Sequence, residues 1–338
     1  METFPLAVQT AYQDLVEAHK QSAVADVGGT PFIKELGERG AYWYARRRIG
    51  DRVIDKYIGR DTAELRKRIE TAQAGSQDQA AVDRRCSALV AQLRAAGAPT
   101  LDRDTGKVLN AMARIGTFRL GGTLVGTHAF RLYGAELGIR LTDTLAVTED
   151  VDIAAFENLK LVIDDEVNPS LAETFRDLSL SPAPGLDPKH RPTRWAMSGG
   201  GAMVDFLTPK MQGRRDIVKI EPLGVYAQAL SYLKFLIADP IPAVALYRNG
   251  VLVQIPRPER YAVHKLIVSE NRAGSSAAKA RKDRAQADLL IRCLAEDRPG
   301  ELQAAYRAAI DAGPKWRQAI DNALKRAPAL KELVGAPS

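Results

Sequence analysis

The sequence has few cysteines and no long apolar run, and both absences limit what the protein does. Its two cysteines, Cys86 and Cys293, lie far apart and form no CxxC motif, which excludes a disulfide framework and a cysteine-based zinc site. The most apolar stretch, residues 226–247, contains Lys234, Asp239 and two prolines, so it is too interrupted to span a membrane. The amino-terminal segment lacks the basic start and apolar stretch of a secretory signal. We therefore expect a cytoplasmic protein in a reducing compartment.

Hydrophobic residues make up 46% of the 338-residue chain and charged residues 26%, an ordinary globular composition that excludes wholesale disorder. The net charge is +7, and its distribution is uneven. Basic residues outnumber acidic ones in 31–70 and in 256–292, whereas acidic residues predominate in 140–177. An acidic segment between two basic ones suits a protein that binds a metal ion and a polyanion together. Ordinary variation of surface charge explains the same pattern equally well.

The first hundred residues predict a mostly helical module that carries one β-hairpin. Aromatic and β-branched residues in 42–57 flank a turn at Gly50, which is typical of a hairpin. Asp61 and Glu64 form the capping-box pattern that begins a helix. Apolar residues at helical spacing and a Gly-Ala-Pro stop define the other helices. The predicted helices are 5–25, 62–73 and 77–96.

The predicted hairpin has two interpretations. Its interleaved rings and guanidinium groups suit nucleic acid, because aromatic rings stack on bases while guanidinium groups bind phosphates. The alternative is an ordinary strand face, in which Tyr42 and Tyr44 are packed and Arg46 and Arg48 point to solvent.

From residue 101 the pattern changes to an α+β region, and after residue 256 it predicts helices alone. Arg248-Asn249-Gly250 lies between two apolar segments and indicates a hairpin. The predicted fold class is α+β, with a mixed sheet and helices, the N-terminal module before it and a C-terminal helical domain after it. The predicted domains are 1–100, 101–255 and 256–338. The predicted strands are 117–120, 151–156 and 203–209, and the predicted helices are 123–136, 257–271, 276–295, 300–312 and 314–327.

Three aspartates follow a glycine-rich turn in the α+β region. Alternate residues of a strand face the same side, so Asp150 and Asp152 would project into one site. Two carboxylates this close repel each other unless a cation joins them, and Mg²⁺ prefers oxygen ligands. Asp205, flanked by apolar residues in another predicted strand, is the natural third carboxylate. Gly121-Gly122-Thr123 would form a strand-to-helix turn whose N–H groups hold phosphate, which together indicates phosphoryl or nucleotidyl transfer.

This order of elements resembles the minimal nucleotidyltransferase domain of the DNA polymerase β superfamily. Downstream, RPERYAVHKLIVSENR and ARKDRAQADLL resemble the helical part of AbiEii-type and MenT-type nucleotidyltransferases. The resemblance covers residues 117–295 and implies a polymerase β-like fold there. The spacing from Gly122 to Asp150 is longer than is common in the superfamily, which leaves Glu149 as the alternative to Asp150. Gln286 stands where AbiEii-type proteins often have an aspartate.

The resemblance also implies a role for each matching residue. Asp150 and Asp152 would be the catalytic metal-binding pair, and Asp205 the third carboxylate, which would help to activate the attacking hydroxyl. Arg272, seven residues after Lys265, shares its helix face and suits a polyphosphate. By the resemblance, Gly121, Gly122 and Thr123 would hold the triphosphate, Lys265 would contact phosphate, and Asp283 would orient the lysine or the substrate. The predicted nucleotide-binding residues are these five together with Arg272.

The implied reaction transfers a nucleotidyl group from an NTP to an acceptor hydroxyl, with Mg²⁺ or Mn²⁺ as the cofactor. The resemblance and the basic flanks favour the 3′ end of an RNA such as tRNA as the acceptor, in a toxin or defence setting. Three alternatives stay open: transfer to a protein or a small molecule, a nuclease or phosphohydrolase, and a nucleic-acid-binding protein whose NTP site has decayed.

Overall fold

The computed structural model describes residues 2–27, 29–37, 40–49, 52–74, 79–141, 145, 150–157, 165–184, 187, 189–211, 213, 216–272 and 276–335. The architecture of this part of the chain is α+β, which confirms the predicted fold class. A mixed sheet with helices lies between an amino-terminal module and a set of carboxy-terminal helices. None of the helices described is long and apolar enough to cross a membrane.

The amino-terminal module contains helices and a three-stranded antiparallel sheet. Its elements are α1 (Leu6–Val27), β1 (Thr30–Glu35), β2 (Ala41–Ile49), β3 (Arg52–Arg60), α2 (Ala63–Ala74) and α3 (Gln79–Ala95). The hairpin β2–β3 is present as predicted, and the additional strand β1 pairs with β2. Helix α2 begins after Thr62, whose hydroxyl accepts a hydrogen bond from the Leu65 N–H. Asp61, the predicted cap, binds the side chains of Arg66 and Trp43 instead.

The aromatic residues of this sheet pack on one another. Tyr44 is buried, and its ring centroid lies 5.7 Å from that of Tyr57. Arg46 is exposed; it binds both oxygens of Asp55 at 2.7 Å and lies over the ring of Phe32. The positions of Tyr44 and Arg46 agree with the packed interpretation of the hairpin. Binding of nucleic acid by this sheet stays a prediction.

The central sheet has the strand order β4-β5-β8-β10-β9, and β7 pairs with β8 and with β6 at one side. Its strands are β4 (Thr123–Val125), β5 (Asp150–Ala154), β6 (Leu180–Pro182), β7 (Arg194–Met197), β8 (Met203–Pro209), β9 (Ile217–Ile220) and β10 (Val225–Leu230). The accompanying helices are α4 (Arg103–Ile115), α5 (Gly126–Glu136), α6 (Leu171–Asp177) and α7 (Leu233–Leu236). β5, β8 and β10 run parallel, whereas β4, β7 and β9 are antiparallel to their neighbours.

The structure corrects the prediction for residues 117–136. The predicted strand 117–120 is a series of turns, because Gly116 ends α4 in a left-handed conformation and the chain folds back on it. The strand is Thr123–Val125, three buried residues that pair with β5, and the helix begins only at Gly126. The predicted helix start at Thr123 is therefore wrong by three residues, since β-branched residues there complete the sheet edge.

The carboxy-terminal helices pack against the sheet and extend its core. They are α8 (Pro258–Arg272), α9 (Ala277–Asp297), α10 (Pro299–Asp311), α11 (Pro314–Arg326) and α12 (Ala329–Leu333). The buried ring of Tyr261 lies against Phe130 and Tyr133 of α5, and one continuous hydrophobic core runs from α4 to α12. The predicted hairpin at Arg248 is present as β11 (Ile241–Ala245) and β12 (Val251–Ile255), and it packs against α1. The division into three domains stays a prediction.

A partly buried ion pair joins the amino-terminal sheet to the central domain. Nη1 of Arg119 lies 2.6 Å from Oδ2 of Asp165, and both side chains are largely shielded from solvent. The same carboxylate accepts a hydrogen bond from the backbone N–H of Tyr57 in β3, and Arg119 donates to the Tyr57 carbonyl. Arg119 and Asp165 therefore fix the position of β3 on the α+β domain.

We expect Asp165→Ala to destabilise the protein by about 3 kcal/mol, because it leaves the guanidinium of Arg119 and the Tyr57 N–H without their partner. Urea denaturation measures the change. The control is Asp14→Ala, which removes an exposed ion pair with Arg85 and costs less than about 0.5 kcal/mol. Equal stabilities of Asp165→Ala and wild type would show that the ion pair does not hold the sheet in place.

Candidate active site

Two parallel strands bring the predicted aspartates to one face of the central sheet. β5 pairs with β8 so that Asp152 lies directly opposite Asp205. Val151 and Val204 turn into the core, whereas Asp150, Asp152 and Asp205 lie partly exposed on the opposite face. The alternation of polar and apolar residues therefore predicted correctly that the three aspartates share one face of the sheet.

The carboxylates are close enough to affect one another. Burial, followed by the charges of Asp205 and Asp150, raises the pKa of Asp152 to about 7. The cations of Lys265 and Arg272 act in the opposite direction without restoring an ordinary value. Burial and the neighbouring carboxylates therefore disfavour the ionised form of Asp152.

Arg194 is a site residue that the sequence analysis did not assign. It lies directly opposite Asp205 in the antiparallel pair β7–β8. Its Nε and Nη2 donate to the two oxygens of Asp205, each at 2.6 Å. This pair raises the pKa of Arg194, and the charges of Asp150 and Asp152 add to the effect. Arg194 orients and neutralises the third carboxylate, a role that becomes visible only with the strand register.

The predicted metal set is not assembled as three free carboxylates. Within the described residues, no group of three or more His, Cys, Asp and Glu side chains is arranged to hold a metal ion. Both carboxylate oxygens of Asp205 accept hydrogen bonds from Arg194. Asp150 and Asp152 lie close together, and two neighbouring carboxylates favour a hard divalent cation. These two residues fit Mg²⁺ or Mn²⁺, and the three-aspartate site stays a prediction. Glu149, the alternative to Asp150, lies outside the described residues.

Gly126 forms the turn that faces the carboxylates. Val125 lies opposite Asp152 in the β4–β5 pair, and Gly126 follows it with a φ of 66°. A Cβ at Gly126 would overlap Oδ2 of Asp152, so this position requires glycine for both conformation and space. Gly126 begins α5, whose first turn has no side-chain cap. The first N–H groups of a helix have no partner within the helix, so this turn suits an anion beside the aspartates.

The predicted turn at Gly121-Gly122-Thr123 lies at the other end of β4. Thr123 pairs with Ala154, two residues beyond Asp152, and the glycines precede it. A Cβ on Gly122 would meet the backbone oxygen of Thr117, so this glycine permits the chain to fold back onto the end of α4. The Gly-Thr pair at 126–127 forms the second glycine-containing turn beside β4, and no role was predicted for it; the phosphate-binding role of Gly121-Gly122-Thr123 stays a prediction.

Lys265, Arg272 and Asp283 come together in one cluster. Nζ of Lys265 donates to Oδ1 of Asp283 at 2.5 Å, and Nη1 of Arg272 donates to Oδ2 at 2.7 Å. Lys265 and Asp283 are buried. Burial lowers the pKa of Lys265, whereas Asp283 and Asp152 oppose the change. The cations of Lys265 and Arg272 thus share one carboxylate, and their charges also act on Asp152.

Tyr261 and Gln286 connect these helices to the Gly126 turn. The Tyr261 hydroxyl lies 2.9 Å from the Gly126 carbonyl oxygen and 3.1 Å from Oε1 of Gln286. Nε2 of Gln286 donates to the carbonyl of Leu145 at 2.8 Å. Gln286, which departs from the AbiEii pattern, is a buried amide that tethers α9 to the segment before β5.

His128 and His264 are buried and neutral near pH 7. Burial, followed by nearby cations, lowers the pKa of His128 to about 4 and that of His264 to about 3. Trp195 is also buried, and its ring packs on Phe175. These three side chains are therefore part of the packed interior that supports the site.

Comparison with known families gives two matches in separate parts of the chain. A family model described as nucleotidyltransferase matches residues 103–311, which is more than half of the chain and includes the sheet, the aspartates, α8 and α9. A second model, described as a domain of unknown function (DUF6788), matches residues 7–67 in the amino-terminal module. No curated protein and no solved structure matches the chain.

Proposed function

The chain belongs to the nucleotidyltransferase family, and from this premise we propose that it transfers a nucleotidyl group from an NTP to an acceptor hydroxyl. The observation that carries the proposal is the register that places Asp152 opposite Asp205, beside the uncapped start of α5 at Gly126. Acidic residues next to an anion-binding helix start suit a substrate that carries phosphates and a cation together.

The triphosphate would lie at the first turn of α5. We assign to Gly126 and Thr127 the phosphate-binding role that the resemblance implied for Gly121-Gly122-Thr123, because only the later turn adjoins Asp152. Lys265 and Arg272 would neutralise phosphate charge from the α8 side. Asp283 holds both cations in place and is thus a positioning residue.

Asp150 and Asp152 would hold Mg²⁺ or Mn²⁺, with Asp205 as the third carboxylate. The metal would neutralise phosphate charge and orient the reacting groups. The acceptor oxygen forms a bond to the α-phosphorus while the bond from this phosphorus to the bridging oxygen breaks, and its electron pair leaves with pyrophosphate. Asp205, which Arg194 orients through two hydrogen bonds, would accept the hydroxyl proton. The AbiEii-type or MenT-type assignment, an RNA acceptor and a toxin or defence role are proposals that depend on the resemblance.

Parallel reactions with α-labelled and γ-labelled NTPs test the proposed reaction. With Mg²⁺ and total RNA, we expect the wild type to attach the α label to an acceptor and to release pyrophosphate. Attachment of the γ label would indicate a phosphoryl transferase, and release of inorganic phosphate alone would indicate a phosphohydrolase. Failure of any RNA, protein or small-molecule acceptor to gain the α label would contradict the proposal.

Lys265→Met tests the assigned cation in the same assay. It is expected to lower transfer by about tenfold to a hundredfold, because one preorganised positive charge near the phosphates is lost. Arg272 continues to pair with Asp283, so the buried carboxylate keeps a partner and the fold is retained. Transfer at the wild-type rate would remove Lys265 from the site, and thermal denaturation checks that the variant is folded.

A further inference from the structure

Two carboxylates and one guanidinium lie in a row across β5, β8 and β7. Asp152 of β5 is directly opposite Asp205 of β8, and Asp205 is directly opposite Arg194 of β7. Side chains that are paired in this way share one face of a sheet, and neighbouring strands are about 4.8 Å apart. Asp205 therefore has a carboxylate on one side and a guanidinium on the other.

Asp205 binds this guanidinium through both of its oxygens. Nε and Nη2 of Arg194 donate to different oxygens, each at 2.6 Å, which is the bidentate geometry in which arginine binds a carboxylate most strongly. A metal ion shared by Asp152 and Asp205 would need one of these oxygens, because Mg²⁺ and Mn²⁺ bind carboxylates through oxygen. The pair between Arg194 and Asp205 therefore competes with a second metal ion. It also agrees with the absence of a three-carboxylate metal group from the described part of the chain.

The positive charge of Arg194 acts on the whole group of aspartates. The hydrogen-bonded pair with Asp205 raises the pKa of Arg194, and the charges of Asp150 and Asp152 raise it further. The guanidinium is thus a permanent cation beside the carboxylates, which is the role of the second ion in a two-metal site. The Arg194 side chain is 48% exposed, and its Nη1 makes no hydrogen bond with the residues that the structure describes. Arg194 can therefore donate to a substrate phosphate while it keeps Asp205.

We propose that the site holds one divalent cation, at Asp150 and Asp152, and that the guanidinium of Arg194 takes the place of a second metal ion. This inference rests on the proposed function, since it adds a catalytic residue to the same site. Nη1 would donate to an oxygen of the α-phosphate and stabilise the negative charge that develops there during transfer. A guanidinium does not coordinate the acceptor hydroxyl, so the hydroxyl proton passes to the carboxylate of Asp205.

Titration with Mn²⁺, followed by electron paramagnetic resonance, counts the bound ions and tests the proposal. The protein is mixed with an equimolar NTP analogue in which a methylene group replaces the oxygen between the α- and β-phosphorus, so that no transfer occurs. We expect the wild type to bind one Mn²⁺ per nucleotide complex, with the spectrum of an isolated ion. Two bound ions with the spectrum of a magnetically coupled pair would overturn the proposal, because the ions of a two-metal site lie about 3.5–4 Å apart.

Arg194→Gln removes the guanidinium and makes the oxygens of Asp205 available. We expect this variant to bind a second Mn²⁺ and to lower transfer of the α label about a hundredfold, since a donor to the α-phosphate is lost. Arg46→Gln is the matched control, because it breaks a bidentate pair with Asp55 outside the row of aspartates, and it is expected to keep one bound Mn²⁺.

A single bound ion in Arg194→Gln, or transfer at the wild-type rate, would overturn the role of Arg194. Thermal denaturation in EDTA checks that the variants are folded, and the ion count of the wild type does not depend on them. If the wild type binds two ions and still transfers the α label, only the role of Arg194 is wrong. If it binds no Mn²⁺ and transfers no label, the proposed function fails as well.

Discussion

Replacing Asp152 with asparagine is expected to lower nucleotidyl transfer by about two to three orders of magnitude while stabilising the protein above pH 7. Both effects have one cause, which is that Asp152 lies close to Asp205 and Asp150 in a position largely shielded from solvent. Transfer falls because the site loses a charge that would hold the metal ion. Stability rises because asparagine has the same shape without a charge that burial and two neighbouring carboxylates disfavour.

The stability effect has a defined dependence on pH. The pKa of Asp152 rises from an ordinary value of 3.8 to about 7 on folding, so the folded protein binds the proton more tightly than the unfolded chain. The resulting penalty is absent near pH 4, grows as the pH rises towards 7 and is complete above it. The gain from Asp152→Asn should follow the same course and approach about 4 kcal/mol at the upper end. Urea denaturation in the presence of EDTA, at about pH 5 and about pH 8, measures the difference.

Asp205→Asn is the matched contrast on the opposite strand. It is also expected to lower transfer, but it leaves Arg194 without its carboxylate and therefore destabilises the protein. If Asp152→Asn raises the free energy of unfolding and Asp205→Asn lowers it, Asp152 is a carboxylate repelled by its neighbours and Asp205 is one stabilised by an arginine. A loss of stability in Asp152→Asn at pH 8, or a gain that does not change with pH, would contradict the electrostatic account.

The parts of the site that follow strand periodicity could be predicted from the sequence. Alternation of polar and apolar residues in β5 and β8 is enough to put Asp150, Asp152 and Asp205 on one face. The long carboxy-terminal helices could also be predicted from the sequence, because the spacing of their apolar residues and the proline and glycine at their ends define them locally. Strand faces and helix ends depend on residues that are close together in the chain, and these can be read from the sequence directly.

Features that depend on pairing between distant segments were not predictable in the same way. Arg194 contacts Asp205 because β7 and β8 are in a particular register, and no local pattern states that register. Gln286 reaches Leu145 and Tyr261 across the fold, so its substitution for an acidic residue looked like a departure from a motif. The sequence does not distinguish the two candidate phosphate turns for a related reason, since glycine-containing turns at Gly121 and Gly126 flank a strand of only three residues.

Gly126→Ala is expected to abolish stabilisation by NTP and to lower transfer by at least a hundredfold. Alanine at a φ of 66° is strained by about 1–2 kcal/mol, and its Cβ would overlap the carboxylate of Asp152. The side chain of Asp152 must then move away from Asp205, and the α5 N–H groups lose their position next to it. NTP titrations by thermal shift and the α-label assay measure both losses.

Gly121→Ala is the matched control for Gly126→Ala. Gly121 also has a positive φ, at 91°, so alanine there costs a similar strain energy and a similar fall in stability. It lies before β4, at the end remote from Asp152, and the KM for NTP should therefore stay within about twofold of wild type. Loss of NTP binding in Gly121→Ala with its retention in Gly126→Ala would return the phosphate site to residues 121–123. The reverse result would place it at the first turn of α5, because strain is common to both variants and only Gly126 adjoins the aspartates.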